Sequence, residues 1–518
     1  MLVLNNQIRE IDMSQKMRPG LLAAGLLAAG MFLTPQAAQA QDDVLAITST
    51  AAMTTPNPYA ESSAQAYSLW CQVYGCLGRY NFQTKEYEGI LAESWEVVND
   101  TTWRFTLRDD LPRHDGGPTV TSADVIHSWQ RVMTDEASVQ RFLFNEIEKL
   151  EVIDERTFDV VTKRPMAPLL AVLFDRLAIT SKDLFEEHGK EADTVAPHGW
   201  GPYALEEYSI DQQIVISKHD EYPGVSEEAP DTAVFRQMRE PEQRVTALLN
   251  GEVQIARLVP PQLMPRLEGN DSVQVVTTPS IEPMFVAMNP AFEPWDDVRI
   301  RRAVAHAIDK DLIIDRLLFG LADRLDGPLG EVQVCYDGPI DDPITYDPER
   351  ARELLAEAGY ADGGPAIDFH TANGRYISDR QIAEVITQML TEVGFEVTLH
   401  APEWANTWAK IRGGDVPMFY MGRGLTLDPS EPVAQYLQTG VTPRVSYSNP
   451  ELDALFEKER QTFDHEERCQ VWREIRQLIV DETPLHYMWT HRLVNGVAKG
   501  IEWPADASGE VWVPDVKM

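Results

Sequence analysis

The stretch that most constrains the fold runs from 366 to 400. Its centre, "SDRQIAEVITQMLTEVG", sets Ile382, Val385, Ile386, Met389 and Leu390 at helical spacing, with Ser378 and Gln381 as a capping box and Gly394 as a stop. "FEVTLH" then alternates apolar and polar residues as a strand does. A strand, a helix and a second strand in that order argue for parallel pairing in an α/β layer, because the chain must cross over to re-enter the sheet. Upstream, "YDPERARELLAEAGY" carries similar punctuation: Asp347 caps, Pro348 takes the first helical position, Gly359 stops the helix, and Ala351, Leu354, Leu355 and Ala358 form its apolar stripe.

Other segments extend the pattern. "DVLAITST" (43–50) reads as a first strand, and "TTWRFTLRDD" puts Trp103, Phe105 and Leu107 on one face of another. "TSADVIHSWQRVM" opens a helix with Thr121 as cap and Asp124 three positions on. "GWGPYALEEYSIDQQIVISKHDEYPG" (199–224) predicts a hairpin, and "MFVAMN" (284–289) a short buried strand. In "EPWDDVRIRRAVAHAIDK" (293–310), Asp296 or Asp297 caps a helix whose buried stripe is Ile300, Val304, Ala307 and Ile308. Arg299, Arg301, Arg302 and His306 are left for a solvated or salt-bridged face, with no catalytic partner beside His306. One or two helices and a return strand fill 449–489.

A length of 518 residues with 43% hydrophobic composition allows about three domains. The formal charge of −37 disfavours nucleic acid and anionic membranes, which would repel the chain. Met17 and Arg18 precede "PGLLAAGLLAAGMFL", an apolar run short for a bilayer, and "AQA" ends at Ala40. That order predicts an export signal over 1–40, cleaved near Ala40, with the true start at Met13 or Met17. No cysteine lies near the cleavage site to take a lipid, so a soluble exported protein is expected.

Cys71, Cys76, Cys335 and Cys469 then meet an oxidising compartment, and all three full pairings stay open. A Cys71–Cys76 bridge needs a turn between them, since side chains at i and i+5 of a regular helix diverge. There is no C-x-x-C, G-x-S-x-G, H-E-x-x-H or phosphate loop, and His486 and His491 make no convincing ligand pair. No catalytic residue, metal or cofactor is expected.

In order, "LAESWEV" (91–97), "WRFTLR" with "HDGGPTVTSADVIHSW", "GWGPYALEEY", "VRIRRAVAHAIDKDLII", "YDPERARELLAEAGY" and "NGRYISDRQIAEVITQMLTEVGFEV" resemble the extracytoplasmic solute-binding proteins of peptide-type ABC transporters, family 5, which include oligopeptide, dipeptide and nickel binders. The resemblance implies an α/β, two-lobed periplasmic binding protein of type II, cluster C, with an extra subdomain inserted in the first lobe. Transferred here, the first lobe spans 41–82, 201–290 and 490–518, the inserted subdomain 83–200 and the second lobe 291–489, with "NPAFEPW" as the first crossing. It further implies a monomer, no enzyme, that closes on a small-molecule or peptide-like ligand and serves permease subunits in the inner membrane.

Candidate ligand contacts follow from loops at strand ends and from aromatic residues. They are Trp200 before "GPY", Arg375 and Tyr376 between a strand and a capped helix, Trp404 and Trp408 in "APEWANTW", and Arg423 and Thr426 in "MFYMGRGLTLDPSEPV". Several of these equally fit ordinary packing or solvation of their own lobe. In peptide binders resembling this chain, an aspartate four positions before the proline of "DP" grips the free amine; here that position is Leu425, and Asp428 reads as a helix cap. Replacing that anion beside Arg423 disfavours a buried ammonium, so the expected ligand is peptide-like or carboxylate-bearing and held by Arg423 or Arg375. An oligosaccharide or a metal chelate is the alternative within the same fold, and an exported hydrolase the alternative outside it.

Overall fold

The computed structural model describes residues 43–50, 54–61, 63–174, 176–424 and 427–518. The expected signal over 1–40 lies outside these residues, as do Leu425 and Thr426.

Strand β1 (Val44–Ser49) leads into helix α1 (Ala64–Val73), capped by the Ser63 hydroxyl, which accepts from Ala66 N at 3.2 Å. The helix ends at Tyr74, and Gly75 takes a φ of +85°, a conformation that costs glycine little and turns the chain back. That turn brings Cys76 to Cys71, with Cα atoms 4.9 Å apart. The other bridge joins Cys335 to Cys469, so one of the three open pairings is realised.

The hairpin of β2 (Gly78–Asn81) and β3 (Glu86–Gly89) follows. Next, β4 (Ala92–Asn99), β5 (Thr102–Leu107), β6 (Ile147–Val152) and β7 (Thr157–Thr162) form a separate antiparallel sheet in the order β4-β5-β7-β6. Helix α2 (Ser122–Thr134) belongs to the same region and has the expected Thr121–Asp124 capping box. Phe105, Phe158 and Phe174 centre its core.

The chain then returns to β1 through β8 (Tyr203–Ser209), β9 (Gln213–Lys218), β10 (Thr232–Gln237) and β11 (Ile255–Ala256). β8 and β9 are the expected hairpin. Strand β12 (Val273–Met288) is far longer than the run "MFVAMN" predicted, because its first half is a mixed polar and β-branched stretch, partly buried, with no continuous apolar run to mark it.

Beyond it lie α3 (Val298–Ala307), α4 (Lys310–Leu317), β13 (Ala322–Arg324) and α5 (Pro348–Glu357). The predicted unit appears as β14 (Ala366–Thr371), α6 (Asp379–Glu392) and β15 (Glu396–His400), with β14 and β15 parallel. Helix α7 (Trp404–Gly413), β16 (Met418–Gly422), α8 (Ser430–Leu437), α9 (Pro450–Gln461), α10 (His465–Glu482) and β17 (Leu485–Ala498) complete the order used here.

An eleven-stranded sheet among the described residues runs β15-β14-β16-β12-β17-β11-β1-β10-β9-β8, with β13 added on β17. β12 and β17 therefore hold its two halves together. Their ladder loses register between Pro279 and Pro283, where β17 needs only Thr490 to Arg492 to match the longer stretch of β12. Neither proline has an N–H to give, so the break falls where the sequence withholds donors. "NPAFEPW", expected as the crossing, lies past this break: Trp295 is buried in one cluster with Met288 and Ile300.

One local expectation is narrowed and one corrected. Of the solvated or salt-bridged alternatives for Arg301 the second holds: it is 3% exposed, pairs with the Glu482 carboxylate at 3.4 Å, and donates to the Glu482 carbonyl at 2.8 and 2.6 Å and the Trp295 carbonyl at 2.7 Å. Ser378 does not cap α6: it sits at φ +52° with no capping bond, and the neighbouring Asp379 takes over. Asp297, by contrast, caps α3 by accepting from Arg299 N at 2.8 Å, and Asp347 caps α5 by accepting from Arg350 N at 2.9 Å.

Candidate ligand-binding site

Parallel strands gather their carboxyl ends and the loops that follow on one side of a sheet, where α/β folds commonly place ligands. Here β14 ends in the loop 372–378, and β16 ends at Gly422. Asp379 builds the first loop. Its carboxylate accepts from the backbone N–H groups of Gly374 at 2.9 Å, Arg375 at 2.8 Å and Tyr376 at 3.0 Å. The Tyr376 hydroxyl then donates to the Gly422 carbonyl at 3.0 Å, tying the loop to the end of β16.

On this base four expected residues meet. The Arg375 guanidinium lies 5.0 Å from the Tyr376 ring centre and 5.8 Å from that of Trp404, within cation–π range. Trp404 meets Tyr376 edge-on at 5.9 Å and stacks on Trp408 at 5.5 Å and 19°. Trp404 and Trp408 are half-buried, so the pair offers a partly open aromatic surface. No hydrogen-bond or ion-pair acceptor for the Arg375 side chain occurs among the described residues.

Arg423 is differently placed. Its Nη2 reaches Glu431 at 3.3 and 3.4 Å and Gln435 at 3.2 Å, so its charge is already shared. Thr426 lies outside the described residues. Trp200 does not reach a cleft: it is 1% exposed, its indole N–H donates to the Pro118 carbonyl at 2.9 Å, and it belongs to the core around Phe105. A tryptophan between two glycines reads the same at a rim as in a core, and here the core wins its area.

Asp428 is a structural anion. It accepts from Ser430 N at 3.0 Å at the start of α8 and pairs with Arg468 at 2.7 and 2.8 Å. Burial opposes its ionisation, yet the Arg468 guanidinium holds its carboxyl below the usual range. Glu459, on the same guanidinium at 2.9 Å, is pushed up by burial.

Two contributors carried no sequence signal. Arg444 lies 5.0 Å from the Trp408 ring and 5.2 Å from Tyr436, extending the cation–aromatic row. Glu282, at the register break of β12, lies so close to the end of β16 that a Cβ at Gly422 or Gly424 would press on its side chain. Burial raises the Glu282 carboxyl above its ordinary range, with Arg375 and Arg423 pulling the other way, and its carboxylate has no bonded partner among the described residues.

Two cavities lie elsewhere among the described residues. One of about 120 Å³ is lined by Tyr67, Arg79, Arg176, Ile281, Asp506 and Trp512, so it joins α1 and the C-terminal segment to the break in β12. A wider one of about 850 Å³ separates Tyr87, Trp95 and Trp103 from Tyr336, His465 and Arg473. Among the described residues, the cluster with metal-like spacing is Cys335, His465 and Cys469, and its two sulfurs are bonded to each other. No helix among these residues is long and apolar enough to cross a membrane.

The profile of the bacterial extracellular solute-binding proteins, family 5, middle region, matches residues 86–443. Among curated proteins, the glutathione-binding protein GsiB of Pectobacterium atrosepticum is 27% identical over 499 residues, which cover 93% of this chain and 94% of that one. The Escherichia coli GsiB is 26% identical over 500 residues, covering 93% and 95%. Among solved structures, HbpA2 from Haemophilus parasuis aligns with a TM-score of 0.83 at 21% identity, covering 92% of this chain and 99% of its own. The binding protein AgaA of A. tumefaciens R10, in complex with agropinic acid, aligns with a TM-score of 0.71 at 24% identity, covering 92% and 98%. With a mixed α/β fold and a profile match over more than half its length, the chain belongs to the family 5 bacterial extracellular solute-binding proteins.

Proposed function

We propose that the protein is the exported, soluble receptor of an ABC importer, enclosing a small carboxylate-bearing ligand between its lobes and passing it unchanged to permease subunits in the inner membrane. The observation that carries this is Arg375: a guanidinium steadied over Tyr376 and Trp404 with no acceptor of its own among the described residues. Such a fork matches a carboxylate in two parallel bonds, and partial desolvation strengthens them. The lobes are those assigned above, and the register break of β12 and β17 at Pro279–Pro283 loosens the sheet just before the crossing at "NPAFEPW". Closure needs no chemistry, only tighter binding to the closed form than to the open one. A micromolar ligand supplies about −8.2 kcal/mol, within reach of a small buried acid. The ligands named for GsiB and seen in AgaA, glutathione and agropinic acid, are in keeping with this reading.

A second reading is favoured by Glu282. Its unpaired carboxylate beside the arginines would hold an ammonium, which makes the ligand a zwitterion, an amino-acid conjugate or peptide-like acid. Thermal-shift screening of the purified protein tests both, since a ligand of the folded state raises the melting temperature by mass action. Acids that stabilise the protein, with their amides inert, support the proposal; stabilisation by neutral sugars alone overturns it. Loss of the response on acylating the amine of an active acid selects the zwitterion.

A further inference from the structure

The Cys335–Cys469 disulfide borders the 850 Å³ cavity, with both sulfur-bearing residues among its lining. Most structural disulfides are enclosed, and enclosure protects them because exchange requires a thiolate to reach a sulfur. This one has two features that favour exchange. The His465 Nε2 lies 3.7 Å from the Cys469 sulfur, close enough to donate to it. Cys335 is held at φ +66°, a left-handed conformation unfavourable for a side-chain-bearing residue.

The second disulfide is the internal contrast. Cys71 lies in the last turn of α1, at the helix end that disfavours a thiolate, and Cys76 is fully buried. Cys71 borders the smaller cavity, so access alone does not separate the two bonds.

We propose that Cys335–Cys469 is a thiol-exchange site opening on the cavity between the inserted region and α10, reactive toward small thiols. An incoming thiolate, RS⁻, attacks the Cys335 sulfur. The S–S bond breaks, its electron pair leaves on the Cys469 sulfur, and the products are the mixed disulfide RS–S–Cys335 and a Cys469 thiolate. His465 meets the departing sulfur with its N–H. A second thiolate on the mixed disulfide releases RSSR and a Cys335 thiolate, leaving the dithiol. Acidic Glu466 and Asp337 and basic Lys85 and Arg473 line this cavity together, so its charge selects no class of thiol. The site is separate from the one built on Arg375 and does not depend on the ligand proposed there.

The test treats the disulfide-intact full chain with 2-mercaptoethanol, quenches in acid, and maps mixed disulfides by peptide mass spectrometry over time. The expected result is opening of Cys335–Cys469 about tenfold faster than Cys71–Cys76, with the first adduct on Cys335. His465→Ala, at an exposed position, slows that opening several-fold while leaving the Cys71–Cys76 rate unchanged. Equal rates for the two bonds, a first adduct on Cys469, or a His465→Ala variant that exchanges at the original rate overturns the proposal.

Discussion

The Asp379 carboxylate accepts the backbone N–H of Arg375 at 2.8 Å, so the residue that begins α6 also fixes the cation proposed to bind the ligand. The same carboxylate holds Gly374 and Tyr376, and it is 2% exposed. Asp379→Ala leaves several N–H groups without an acceptor and is expected to lower stability by about 2 kcal/mol, measured by denaturant unfolding. Ligand affinity should fall with it although Asp379 itself need not touch ligand, because the Arg375 fork loses its setting. A variant as stable as the parent would show that another group holds the loop.

Arg375 and Arg423 should separate under substitution. Arg375→Ala removes a guanidinium that touches the Tyr376 and Trp404 rings but has no hydrogen-bond acceptor among the described residues, so its main cost appears in ligand affinity, by about tenfold or more, with a smaller change in stability. Arg423→Ala also removes the largest of the positive charges beside Glu431, leaving Arg444 and Arg176. Burial already raises the Glu431 carboxyl, with Arg423 opposing that rise. The expected result is a smaller change in affinity and a measurable loss of stability. Calorimetric titration with a ligand found by thermal shift distinguishes them; unchanged affinity in Arg375→Ala would remove it from the site.

How much of this was legible follows from the range of each interaction. The unit β14–α6–β15 was readable because its periodicity, cap position and stop are local. The location of the cap was not, since Ser378 and Asp379 both satisfy the pattern and only the fold of the preceding loop decides which oxygen is aimed at it. The burial of Arg301 was not legible because its fork is satisfied by Glu482, 181 residues away. Glu282 gave no signal in a chain with 82 acidic residues, where any one carboxylate looks like surface. Arg375, Tyr376, Trp404 and Trp408 lie together because both of their loops follow neighbouring parallel strands, whereas Trp200 shows that an aromatic residue beside glycines can be claimed by packing instead.

Lys310 carries a pH dependence of its own. Lys310 is 4% exposed, and its ammonium donates to the Leu325 carbonyl at 2.7 Å and the Tyr487 carbonyl at 2.6 Å, with no carboxylate bonded to it among the described residues. Burial lowers its pKa from 10.5 to about 7, aided by Arg324 and opposed by Asp326 and Asp311. Between those values the unfolded chain binds the extra proton, so stability rises as pH increases from about 7 toward 10.5, at up to about 1.4 kcal/mol per pH unit. The slope belongs to Lys310 if it disappears from the Lys310→Met curve. Parallel unfolding curves for the two proteins across that range would mean that the lysine titrates normally.

The Asp428–Arg468–Glu459 cluster makes the opposite kind of prediction. All three are buried, and Arg468 alone among them is positive, bonding Asp428 through two nitrogens and Glu459 through Nε. Arg468→Met deletes the one charge that offsets two carboxylates, so a loss of about 3–5 kcal/mol is expected near neutral pH. The sign with pH then differs between the acids. Asp428, lowered by Arg468, contributes stability that is present above its unfolded pKa and lost as pH falls through the folded value. Glu459, raised by burial, is stabilised instead by protonation as pH falls toward its unfolded pKa. Without Arg468 neither acid has reason to stay ionised, and the variant should recover part of its lost stability on mild acidification, where the parent gains less. Thermal melts at neutral and mildly acidic pH measure this directly; a deficit that stays constant across that range would mean that the two carboxylates do not depend on Arg468 for their charge.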